Sequence, residues 1–243
     1  MRQSGVDLSI YLKAIALLVR SPAIIVGPLL ASLIAGTLEL MIPTMATGGP
    51  LGGLNAGFSQ LIVQLLGSVG LGVAVIGADL AWRRGRASFD EIWTDAQRRL
   101  PDLLMAALGL NFILWVAVII GSFVGFIGGL LLAAVALFFF IYTMAAAAIG
   151  GIPGGAALQV SVERSRAYPL PTIGVFIAYV LVFFFLKSFA QTQLLDFLVN
   201  LGVSSSTLIT VLVVAVVQAI CSAYVAAVLA NIYADLSYGR RWY

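Results

Sequence analysis

Glu39 and Lys187 are charged side chains inside otherwise apolar runs, and they are the first candidates for chemistry. Glu39 follows Ala31 and Ala35 at four-residue spacing, so the three share one helix face. Small residues on such a face let a neighbouring helix approach closely. Lys187 lies at a similar expected depth, near the same end of its own apolar run. Ionisable groups inside a membrane are costly and mark substrate or ion paths by default. We expect the two side chains to approach each other. The sharper reading is a gate sensitive to an ion or substrate. The plainer one, a structural salt bridge or two side chains reaching separately to the headgroups, is preferred.

Other polar groups carry weaker chemistry. Asp79 and Arg83, four residues apart, fall together on one helix face as a local ion pair. Asp102 follows Pro101 in a helix's first turn, where the dipole favours a carboxylate. Ala215, Ala219, Ala223 and Ala227 recur every four residues, and Asn231 and Asp235 extend the line. With Gln218 and Ser222 on a neighbouring line, this face belongs inside a bundle, packed tightly and hydrogen-bonded across the contact. Asn111 is a further interior polar candidate. Phe176, Tyr179, Phe183, Phe184 and Phe185 cluster in one apolar run; packing or facing lipid is preferred over contact with an isoprenoid or acyl chain. The glycines between Gly150 and Gly155 lack the Lys and Ser/Thr of a phosphate loop and read as a hinge.

Composition narrows the classes. The 243 residues are 62% hydrophobic and 9% charged, far below the roughly 25% charge of a soluble domain. The chain has no histidine and one cysteine, Cys221, which removes imidazole catalysis, internal disulfides and multi-Cys metal sites. We expect no catalytic, cofactor or metal constellation and no enzyme activity. A net charge of +3 spread over apolar segments is no nucleic-acid footprint.

A crossing helix needs about 20 apolar residues, and six stretches qualify: approximately 22–43, 58–82, 103–123, 126–150, 172–190 and 207–234. Asp7 and Lys13 interrupt the early apolar run, so cleavage of a signal peptide is not expected. Twelve of the 13 basic residues fall on the side that holds both termini, and Lys187 alone falls opposite. Because Lys and Arg are retained inside, both termini are expected in the cytoplasm of a prokaryotic cell, the chain crossing its inner membrane.

Three segments on that side read as interfacial amphipathic helices. Ser88 and Glu91 form a capping box ahead of the apolar stripe Phe89, Ile92, Trp93, Ala96 and Leu100. The segment from Gly5 to Arg20 is similar, with a narrow polar face. The segment 156–167 also fits a strand, but a helix is preferred because an open strand beside lipid leaves backbone groups unpaired. Each ends in an arginine with a proline two or three residues on: Arg20 and Pro22, Arg99 and Pro101, Arg166 and Pro169. The expected fold is therefore an all-α membrane protein, a single domain over residues 1–243. It has six transmembrane helices and three cytoplasmic interfacial helices, a threefold repeat of interfacial helix plus hairpin (units approximately 5–82, 88–150 and 156–236).

Leu17-Leu18-Val19-Arg20-Ser21-Pro22, then Gly27-Pro28-Leu29-Leu30, and the ending Ile232-Tyr233-Ala234-Asp235-Leu236 resemble the membrane domain of some glycerophosphodiester phosphodiesterases and related six-span prokaryotic proteins. The resemblance implies a bundle of interfacial and spanning helices. It implies no catalytic residue, because the chemistry of those enzymes resides in a soluble domain.

The leading functional expectation is a non-catalytic scaffold or membrane-shaping bundle. Arg20, Arg98, Arg99, Arg164 and Arg166 would contact anionic inner-leaflet lipids, each contributing about 1 kcal/mol, and a second copy or another membrane protein would be its partner. The alternative is a small transporter or channel with a site between repeats near Glu39. A cavity reaching Glu39 or Gln218 favours the second, and a packed centre the first.

Overall fold

A computed structural model describes residues 8–41, 50–201 and 207–239. Arg2, Gly5, Asp7, Pro43, Arg240 and Arg241 lie outside the described residues. The helices are α1 (Ser9–Arg20), α2 (Ala23–Met41), α3 (Pro50–Arg84), α4 (Phe89–Ser122), α5 (Phe126–Phe140) and α6 (Thr143–Ile149). They continue as α7 (Gly154–Ala167), α8 (Pro169–Val180), a π-helical segment (Leu181–Leu186), α9 (Lys187–Asn200) and α10 (Thr207–Tyr238). Six stretches are long and apolar enough to cross a membrane: α2, α3, α4, α5 with α6, α8 through α9, and α10. This is the architecture of a multi-pass helical membrane protein, in which each crossing satisfies its own backbone.

Three boundaries differ from expectation. The capped amphipathic segment and the third crossing form one helix, α4, which runs through Pro101 without a break. Proline there forfeits a single bond to the Gln97 carbonyl, a loss a helix tolerates when neighbours hold it in place. The fifth crossing also runs past its expected end near 190, continuing unbroken through α9 to Asn200. The fourth crossing, in contrast, is interrupted at Ile141 and Tyr142.

That interruption is repaired from α7, which is helical as preferred. The Tyr142 amide donates to Ser161 Oγ at 3.0 Å, and Ser161 Oγ donates to the Phe139 carbonyl at 2.9 Å. Ser165 Oγ reaches the carbonyls of Phe138 and Phe139 at 3.2 Å. Both serines are buried. Broken helices persist at membrane depth where protein groups replace the missing ladder.

Every connection rich in arginine gathers at one end of the bundle. The Ala87 amide donates to Ser21 Oγ at 3.3 Å, and Trp82 Nε1 donates to the Ala227 carbonyl at 2.9 Å. Arg164 donates to the Leu236 carbonyl at 3.2 Å, and Asp102 accepts the Gly154 amide at 3.3 Å. The described ends of the chain, α1 and the last turns of α10, lie here as well.

Packing is uneven along the bundle. On α3, Gly70 through Ala81 are buried except for half-buried Leu71 and Val73, whereas none of residues 60–69 is. On α10 nearly everything from Ala219 to Ala234 is buried, and nothing from Thr207 to Leu212. The seven residues of α6 are all buried, against Gly129 alone in α5. Small residues make the tight half possible. A Cβ on Gly27 would sit 2.6 Å from Val73, and one on Gly70 would sit 2.7 Å from the Ala31 methyl. Lipid offers helices no hydrophobic drive to associate, so such close backbone approach supplies the contact energy. The bundle is solid at the end bearing the termini and opens toward the other.

Candidate functional site

The opening is a cavity of about 1070 Å³ bounded by residues of all six crossings. Its floor is apolar, made by Leu71, Ile141, Met144 and Leu229 where the solid half begins. One wall is polar. Gln60, Gln64 and Ser68 succeed one another every four residues along α3 and all face the cavity. Opposite Ser68, Asn111 donates through Nδ2 to Ser68 Oγ at 3.0 Å and to the Ala107 carbonyl at 2.8 Å. Gln218 approaches from α10, with Nε2 3.9 Å from where a Cβ on Gly67 would stand. Ser222, one turn further, completes this side.

The other wall is aromatic: Trp115 of α4, Phe176 and Tyr179 of α8, and Phe183, Phe184 and Phe185 of the π segment. The Tyr179 and Phe183 rings lie 4.6 Å apart. A π turn packs more residues per revolution than an α turn, which helps three consecutive phenylalanines share one side; such turns recur at functional sites.

Glu39 and Lys187 enter from α2 and from the first residue of α9. They lie within electrostatic range of each other, and Lys187 is also within range of Cys221. Among the described residues no ion pair joins Glu39 to Lys187; the ion pairs there are Asp79 with Arg83 at 2.5 Å and Arg84 with Glu91 at 2.6 Å. The two charges share a cavity without closing on each other.

The remaining candidates divide. Asn111 and Gln218 belong to the cavity, whereas Asn231 and Asp235 lie along the solid end of α10. Of the arginines, Arg99 donates to the Ala148 carbonyl and Arg164 to that of Leu236, so these two clamp helix ends. Arg166 rests 5.8 Å from the centre of the Phe139 ring, while Arg20 and Arg98 are exposed. Gln60 and Ser68 were missed in sequence reasoning, although their four-residue rhythm with Gln64 was available to find them.

No protein-family model, curated protein or solved structure matches the chain.

Proposed function

We propose that the chain is a small membrane transporter whose ligand enters the cavity beside Glu39, Lys187 and Gln218. The observation carrying this reading is the cavity itself: all six crossings wall it, and Glu39, Gln64, Asn111, Lys187 and Gln218 line it. A bundle acting only as scaffold gains nothing from a void, since empty space forfeits packing energy. Residues lining it are poised to bind, and the solid half serves as the closed gate.

The accompanying topology is an inner-membrane protein of a prokaryote with both termini in the cytoplasm, so that the cavity faces outward. Exposed Arg20 and Arg98 then lie at the anionic inner leaflet, and Leu12, Ile15 and Val19, with Leu8 just ahead of them, form the outward stripe of α1 that rests on it. That stripe also favours a second reading, a lipid-anchored scaffold, which requires no access to the cavity. We place the threefold repeat in the same proposal.

Thiol labelling tests the transport reading. In a Cys221→Ala background, Gln218→Cys is exposed in sealed vesicles to a membrane-impermeant maleimide from either face, with Arg84→Cys marking the terminus-bearing side. Modification from both faces is expected, because a transporter alternates access. Modification from one face only, or none, overturns transport.

A further inference from the structure

We infer that the ligand is a zwitterionic lipid drawn from the surrounding leaflet, its ammonium held by Glu39, its acidic group by Lys187 and its chain by the aromatic wall. This deepens the transport reading and rests on it.

Charge comes first. Among the described residues the cavity presents one carboxylate and one ammonium from different helices, close enough to feel each other with no ion pair between them. Glu39 stands exposed at the mouth and Lys187 half-buried inside it, so a head with one charge of each sign can meet both at once. A purely anionic head would be drawn to Lys187 and repelled by Glu39, and a purely cationic head the reverse. Only a head carrying both satisfies the pair.

Shape and surroundings supply the rest. Pockets for drug-sized ligands occupy roughly 300–1,000 Å³, and the cavity exceeds that range at about 1070 Å³. That volume has room for a head with a hydrocarbon chain. Its rim also has two characters. Glu39, Gln60 and Gln64 are exposed on the α2–α3 side, while Val118, Leu130, Phe184 and Phe185 are exposed on the other. Residues that both line a cavity and remain exposed mark its mouth. The apolar part of this mouth offers a chain a path from lipid with no polar surface to cross, and the polar part receives the head.

The full-length protein is reconstituted in equal amounts of phosphatidylethanolamine and phosphatidylglycerol, re-extracted, and its retained lipid measured by mass spectrometry. Wild type is expected to retain the zwitterionic lipid about tenfold over the anionic one, equivalent to about 1.4 kcal/mol. Glu39→Gln should abolish that preference, and Glu39→Lys should invert it toward phosphatidylglycerol. The double exchange Glu39→Lys with Lys187→Glu keeps one charge of each sign and should restore it, which a merely structural role would not do. Equal retention by wild type, or selectivity unmoved by Glu39→Lys, overturns the inference. So does displacement of the lipid by chain-free glycerophosphoethanolamine, which assigns the cavity to a soluble zwitterion. Two-faced labelling of Gln218→Cys with no headgroup preference leaves transport standing and removes this inference alone.

Discussion

Ser21 and Tyr168 hold one backbone conformation: φ −134° and ψ 68° at the first, φ −131° and ψ 67° at the second. Each precedes a proline, each amide donates at 2.9 Å to the carbonyl four residues back, and each turns an arginine-ended helix into a crossing. Proline disfavours helical geometry in the residue before it, so both elbows follow from the same local sterics. The corresponding place before Pro101 is helical. Two of the three expected units thus share an elbow and the third has straightened it.

The serines that mend the fourth crossing should be hard to replace. Ser161→Ala orphans the Tyr142 amide and removes the donor to Phe139, a buried loss of about 1–3 kcal/mol. We expect a lowered thermal midpoint in detergent and faster hydrogen exchange at Tyr142. An unchanged midpoint would show the break to be self-sufficient.

Glycine replacements separate tight from open backbone. Gly70→Leu on α3 pushes against Ala31 and Pro28 of α2, forces the two helices apart and should destabilise by about 1–3 kcal/mol. Gly155→Ala meets nothing within 4 Å and should be neutral or stabilise by up to about 1 kcal/mol through the unfolded chain. Equilibrium unfolding in mixed micelles compares the two, and equal effects would contradict the packing described.

The Asn111 and Ser68 hydrogen bond should be modest despite its setting. Membrane double-mutant cycles average about 0.6 kcal/mol, because the unfolded state in lipid also finds partners. A cycle through Asn111→Ala and Ser68→Ala is expected to return about that coupling. A coupling of zero would place the two side chains apart.

At the start of α4 the cap should outweigh the ion pair. Ser88→Ala removes the acceptor for the Glu91 amide and should cost about 1 kcal/mol. Arg84→Ala breaks an exposed pair at 2.6 Å and should cost well under 1 kcal/mol. Hydrogen exchange over residues 89–95 distinguishes them, and the reverse order would refute the ranking.

Much of this molecule could be read from its residues, for identifiable reasons. Crossings announce themselves because lipid demands length and apolarity, and Ser88 with Glu91 or Asp79 with Arg83 are local pairs fixed by helix geometry alone. The alanine line of α10 reported correctly which face is buried. Periodicity, however, gives the direction a residue faces and not how far helix axes diverge, so Asn111 and Gln218 could be placed inside the bundle without revealing that its centre is hollow there. The break at Tyr142 was equally hidden: the group that satisfies it, Ser161, lies nineteen residues on in another helix. Arg99 and Arg164 looked like surface charges because a guanidinium's hold on a distant carbonyl leaves no mark in local spacing.

The unequal halves of the bundle also decide where a transmembrane voltage would act. In the proposed transporter a water-filled mouth would sit near the potential of the compartment it faces, and most of the drop would fall across the alanine-rich layer around α6 and the last turns of α10. An ion forced through that layer does electrical work of about 2.3 kcal/mol per 100 mV. The zwitterion proposed as cargo would do almost none, and its passage would run at the same speed in energised and de-energised cells.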